Sequence, residues 1–156
     1  MHKTTQILAA ALVLFLIPSA ALAEGFGLGW QHTGPASGLS LKLPLDRYLV
    51  IQPVLSLSVK DQPDGALGHT SYGLRTIMRL PSLGSLHPYT GVGAGRSTRY
   101  EDGERLINQG FQGFVGLEFD FYGFRPSVEM ALGRVGRSDG TGFTGTMYNF
   151  GLHYYF

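Results

Sequence analysis

The stretch QGFQGFVGLEFDF, residues Gln109–Phe121, alternates with a period of two. Phe111, Val115, Leu117, Phe119 and Phe121 share one parity with Gly113, while Gln112, Gly116, Glu118 and Asp120 share the other with Phe114. Successive side chains of a strand point to opposite faces, so this is a strand with one greasy face. Its polar face is unusual. Glycine weakens a strand, and solvent-facing positions of soluble sheets favour larger polar residues. Small residues suit a crowded place, such as the inside of a narrow closed barrel.

The same pattern recurs along the chain. Strands are expected at about Gly25–His32, Gly38–Leu43, Tyr48–Val59, Thr70–Leu80, Pro88–Arg99, Gln109–Phe121, Phe124–Val135 and Tyr148–Phe156. Each carries a large apolar face, as in Leu49, Ile51, Leu55 and Leu57, opposite a small or polar one, as in Gln52, Ser56 and Ser58. Pro53 cannot donate to a ladder, so a bulge or a gap is expected there. Short turns follow strands two, four and six. The longer polar stretches Lys60–Gly68, Tyr100–Asn108 and Gly136–Gly145 read as loops on the opposite side. Eight antiparallel strands are the simplest count.

Residues 1–23 read differently. Lys3 precedes the apolar run Ile7–Leu22, and Ala21-Leu22-Ala23 has the small-x-small form of a cleavage site. This is a secretory signal peptide in form. A membrane anchor is the competing reading, but the run falls short of the roughly 20 residues a spanning helix needs. The chain divides into a leader, 1–23, and one β-barrel domain, 24–156.

Composition narrows the function. The 12 Lys and Arg stand against 11 Asp and Glu, and Lys3 belongs to the leader, so nothing attracts nucleic acid. With 0 Cys there is no thiolate metal site and no thiol nucleophile. The 5 His show no metal-ligand spacing, so no metal or cofactor is expected. The 23 Gly would suit a disordered chain, but 10 Phe and 8 Tyr are too many for a solvated tail.

An apolar face in every strand, opposite a face of small and charged residues, fits a barrel turned inside out. Its greasy side meets lipid and its polar side fills the interior. Lipid offers no hydrogen bonds, so such a sheet must close. The expected fold is therefore an all-β, eight-stranded antiparallel transmembrane β-barrel behind a cleaved signal peptide. Aromatics near strand ends, including Trp30, Tyr48, Tyr100, Tyr122 and Phe124, resemble interfacial girdles.

Several stretches resemble a known family. PYTGVGAG (Pro88–Gly95), GFQGFVGLEFDF (Gly110–Phe121) and FRPSVEM (Phe124–Met130) are similar to strands five, six and seven of the small OmpA-like and OmpX-like outer-membrane β-barrels. The alternating terminus Tyr148, Phe150, Leu152, Tyr154, Phe156 resembles the assembly signal of such barrels. The resemblance implies a bacterial outer-membrane location. It also implies contact with outer-membrane lipid and lipopolysaccharide, and passage through the barrel-assembly machinery.

Arg75, Arg79, Glu118, Asp120, Arg125 and Glu129 share the inward parity and form the candidate site. Charges in so narrow a space must pair or suffer desolvation. The expected role is a salt-bridged plug in a monomeric, non-enzymatic barrel that supports the envelope or displays its loops. Two alternatives stand beside it. His69-x-Ser71 resembles the pair used by lipid A deacylase barrels, although Tyr72 and Leu83 occupy the places of that family's Asn and Glu. A soluble periplasmic β-barrel is the other. GVGAG (Gly91–Gly95) lacks the spacing of a phosphate-binding loop and opens no helix.

Overall fold

The computed structural model describes residues 25–58, 69–101 and 104–156. The expected leader and the whole of the expected loop Lys60–Gly68 lie outside them. The described residues hold eight strands: β1 Gly27–His32, β2 Ser37–Pro44, β3 Leu49–Ser58, β4 His69–Arg79, β5 Leu86–Glu101, β6 Glu104–Phe119, β7 Phe124–Arg137 and β8 Gly142–Tyr155. Each pairs antiparallel with its sequence neighbour, and β1 also pairs with β8, so the sheet closes. The closing register runs from Gly27↔Tyr155 to His32↔Phe150.

The chain alternates as its residues dictate. Val50, Gln52, Val54 in β3 and Ser71, Arg75, Ile77 in β4 are buried inside, while Leu55, Tyr72, Leu74 and Met78 stand exposed outside. The outward face of β6 carries Phe111, Val115 and Leu117; that of β8 carries Tyr148, Phe150, Leu152 and Tyr154. The exposure is large: 68% for Leu39 and 66% for Leu132. Inside, an apolar cluster of Val50, Ile77, Tyr89, Phe114 and Ala131 packs with Met147 at its margin.

Pro53 leaves a gap and no bulge. The β2–β3 register passes from Ser40↔Val54 to Leu43↔Ile51 without a shift, and the pairs between are missing. A proline lacks the N–H that would bond there, and its ring does not change the residue count.

Two expected loops turn out to be ladder in part. β5 and β6 run on through Thr98↔Ile107 and Arg99↔Leu106 to Glu101↔Glu104, where the loop Tyr100–Asn108 was expected. β7 and β8 continue through Val135↔Phe143 and Gly136↔Gly142 across the expected loop Gly136–Gly145. Charge and glycine mark exposure to water in these segments. A ladder needs only backbone groups, which Arg and Gly supply as well as Val does.

Tight turns hold the end where the chain terminates. In the β2–β3 turn, Asp46 Oδ1 accepts from the Tyr48 and Leu49 amides, each at 2.7 Å. The β6–β7 hairpin turns on Tyr122 (φ 56°) and Gly123 (φ 88°), flanked by Phe121↔Phe124. Two central residues at positive φ match the right-handed twist of a hairpin. The last residue is fastened as well. The Phe156 amide donates to the Phe26 carbonyl at 3.1 Å, and the two rings stack at 5.0 Å.

Candidate functional site: the charge-paired interior and its mouth

The inward parity of all eight strands brings ionisable and amide side chains onto one axis. Near the middle, Arg75 of β4 places Nη2 2.6 Å from Glu129 Oε1 of β7 and donates through Nη1 to Gln52 Oε1 at 2.8 Å. Its guanidinium also lies over the Phe114 ring, 4.0 Å from the centroid. Glu129 accepts twice more, from Tyr89 Oη at 2.7 Å and from Asn149 Nδ2 at 2.9 Å. Both charged partners are buried. A planar guanidinium suits this place because its fork reaches two acceptors and its face rests on an aromatic ring.

The network continues sideways through Gln52. Its Nε2 lies 3.2 Å from each of Gln31 Oε1, Ser40 Oγ and His153 Nε2. Ser40 Oγ and His153 Nε2 are 2.5 Å apart, both fully inside. Other polar atoms in the same space have no protein partner among the described residues: both amide atoms of Gln112, Ser127 Oγ, Asn149 Oδ1 and Arg75 Nε.

One layer nearer the turns, Lys42 of β2 meets Glu118 of β6 at 2.6 Å. Tyr155 Oη lies 3.3 Å from both Glu118 oxygens. This pair floors a cavity of about 330 Å³, walled by Arg79, His87, Tyr89 and Arg125 among others. At its rim Arg125 Nη2 sits 2.6 Å from Asp120 Oδ2 and over the Tyr155 ring at 4.2 Å. Asp120 lies in the β6–β7 turn and also accepts from the Gly123 amide at 3.1 Å. That amide, then Arg125, holds its carboxyl below the usual carboxylate range.

The six expected charges therefore fall into separate groups. Arg75 and Glu129 pair in the middle, Asp120 and Arg125 pair at the rim, Arg79 lines the mouth, and Glu118 takes a partner outside the set, Lys42. Lys42 has the inward parity of Ser40, which is the signal that finds it. The same parity finds Gln31, Gln52, Asn149 and His153, none of which belongs to the expected set. The terminal residues Tyr148, Phe150, Leu152, Tyr154 and Phe156 are all exposed on the outer face or at its edge.

At the opposite end, Ser71 is completely buried and its Oγ accepts from the Ser37 amide at 3.0 Å. His69 makes no hydrogen bond to it, and His69 Nδ1 has no partner among the described residues. No group of three or more potential metal ligands occurs among those residues.

The fold and this interior define a class: an all-β, closed, antiparallel barrel of eight strands with Lys42, Arg75, Glu118 and Glu129 buried inside and most of its large apolar side chains outside. Comparisons with protein-family models, with characterised proteins and with solved structures found no match to the chain.

Proposed function

We propose that the chain is a non-enzymatic barrel of the bacterial outer membrane, similar in kind to the OmpA-like and OmpX-like proteins. Its salt-bridged interior blocks passage, and it supports the envelope or displays its loop end. The carrying observation is the inverted burial. Leu28, Leu39, Leu55, Leu74, Val92, Phe111, Val115, Leu132 and Phe150 surround the outside, while Lys42, Arg75, Glu118 and Glu129 are buried within. A soluble monomer rarely exposes an apolar patch beyond a few hundred Å². A closed sheet in lipid leaves no backbone group unpaired, and an apolar belt of roughly 25 Å matches the hydrocarbon thickness.

Within this reading, residues 1–23 direct export. The exposed row Tyr148, Phe150, Leu152, Tyr154 and Phe156 is offered to the assembly machinery before it meets lipid. The closed sheet has no free lateral edge to recruit a second copy, which favours a monomer. The interior favours a support role over transport. In so narrow a barrel the side chains fill the space, and Arg75–Glu129 and Lys42–Glu118 cross it in two layers.

Outer-membrane fractionation with a heat-modifiability gel tests the proposal. The folded barrel is expected in the outer-membrane fraction, with a mobility that changes on boiling. Release into buffer without detergent refutes it. Planar-bilayer recording tests the plug, and a steady large conductance ends that part of the proposal.

A further inference from the structure

At the loop end the short hairpin β1–β2 does not stand up beside its neighbours; it folds in. The β2–β3 ladder stops at Leu39↔Leu55, whereas β3 and β4 stay paired to Ser58↔His69. Gly38 marks the departure, because a methyl there would strike the Leu55 carbonyl. Beyond it the turn Thr33-Gly34-Pro35-Ala36 is buried except at Gly34, with Thr33 3% and Ala36 5% exposed. Connections between strands normally run over the surface, where water serves their backbone groups.

The place of burial follows from what the turn touches. A methyl at Gly73 of β4 would lie 3.0 Å from the Ala36 methyl, and one at Gly95 of β5 would lie 2.8 Å from it. Gly73 and Gly95 pair across the β4–β5 ladder and share the inward parity of Ser71, Arg75 and Tyr89. Neither β4 nor β5 is a neighbour of β2 in the sheet, so Ala36 reaches them through the lumen. Gly34 faces a different wall. A methyl there would collide with the thioether of Met147 in β8, which packs on the apolar cluster below. The turn carries its own bonds: the Thr33 amide donates to the Ala36 carbonyl and the Ala36 amide to Thr33 Oγ1, each at 3.0 Å. The Ser37 amide ties it to the wall at Ser71 Oγ, 3.0 Å away.

We infer that this turn is a hinged stopper. Seated, it shuts the loop-side mouth against water and small polar solutes; lifted about Gly38, it opens the interior down to Arg75. Its seat is smooth, because two glycines offer the Ala36 methyl bare backbone and no side chain to interlock with. Leaving the seat breaks the Ser37–Ser71 tie and keeps the turn's internal bonds. The row beneath the seat is Arg75, Gly93 and Gln112. Arg75 Nε and both Gln112 amide atoms are buried there without a protein partner among the described residues, and entering water would serve them. This closure is separate from the ion-pair plug and needs the closed barrel alone, not the membrane around it.

The chain has 0 Cys, so introduced thiols report without background. In Ala36→Cys/Gly73→Cys the two Cβ atoms need to part by about half an ångström to reach disulfide spacing, and mild oxidant is expected to join them. Failure of that pair to oxidise in a folded barrel overturns the seat. Access is read separately, with Gln112→Cys and a charged methanethiosulfonate reagent. That thiol is expected to react about a hundredfold more slowly than one at the exposed Thr141→Cys, the protection of a locally closed segment. Labelling follows the population of the open form. Adding Ser71→Ala removes the tie and is expected to speed it about tenfold, the worth of one buried hydrogen bond. Gly95→Leu fills the seat and is expected to act in the same direction. Equal rates for Gln112→Cys and Thr141→Cys overturn the inference, and so does a rate that neither Ser71→Ala nor Gly95→Leu moves. A β-sheet circular dichroism spectrum is required of every sample. Where Gly95→Leu does not fold, Ala36→Gly takes its place, since it removes the seated methyl without adding bulk.

Discussion

Removing the Glu129 carboxylate tests the interior network most directly. Glu129→Ala leaves Arg75 Nη2, Tyr89 Oη and Asn149 Nδ2 without their common acceptor. Breaking a buried ion pair by deleting one partner costs about 3–5 kcal/mol. Orphaning a buried neutral donor adds about 1–3 kcal/mol. The three bonds share one carboxylate, so these costs overlap, and about 5 kcal/mol is the expected total. With a urea slope of about 2 kcal/mol per molar, the unfolding midpoint falls by about 2.5 M. Glu129→Gln keeps the volume and one acceptor oxygen, and is expected to fall between alanine and wild type. The double variant Arg75→Leu/Glu129→Leu removes both charges and is expected to lie between Glu129→Ala and wild type, because no unpaired charge is left although Tyr89 Oη and Asn149 Nδ2 still lose their acceptor. Urea titration of the refolded barrel, read by the compact and extended gel bands, measures all of them. An alanine variant within about 0.5 kcal/mol of wild type refutes the reasoning. A double variant as weak as the single one refutes it as well.

Three further outcomes follow from other parts of the molecule. Gly29→Ala is expected to block closure, because its methyl would run into the Leu152 carbonyl and the His153 backbone across the β1–β8 ladder; Gly113→Ala meets only the Gly91 carbonyl at 3.9 Å and serves as the near-neutral control. A heat-modifiable band of normal yield from the Gly29 variant would contradict this. The sole tryptophan, Trp30, is half exposed on the outer face, so brominated lipid should quench its fluorescence in vesicles and aqueous acrylamide should not; the reverse pattern would place that face in water. Asp120 is held below 3.8 by the Gly123 amide first and by Arg125. Its contribution is complete above the unfolded carboxylate range and lost as pH falls through the lower native value. The Gly123 amide resonance should therefore titrate below pH 3.8, and a midpoint at or above that value would show that the turn contact is not made in solution.

Parity was the legible part. Leu55, Val115, Leu117 and Phe150 can be assigned to one face from alternation alone, and they stand outside. Alternation also gives the eight strands, because each is bounded by turn residues. The ends of β5, β6, β7 and β8 were not legible. Tyr100, Arg105 and Gly142 look like loop residues when burial is taken as the mark of a strand, yet their ladder stands at the exposed end of the barrel. The pairing inside was only half legible. Parity places Arg75 and Glu129 in one space, but the register decides that Glu118 meets Lys42 and that Asp120 stays at the rim. Lys42 escaped because β2 is short and its polar face otherwise shows only Gly38 and Ser40.

The staves of this barrel are unequal. β1 has 6 residues and β2 has 8, whereas β5 and β6 have 16 each. A barrel is only as tight as its seam, and here the seam is the shortest stave, clasped on both sides over a single run of six residues and pinned at its foot by the terminal phenylalanine. The long hairpins can zip locally from their own turns, but β1 must find a partner at the far end of the chain. Under mechanical pull from the N-terminus, or in mild denaturant, β1 is then the first stave to peel. What remains is an open sheet from β2 to β8, with two raw edges in place of the clasp.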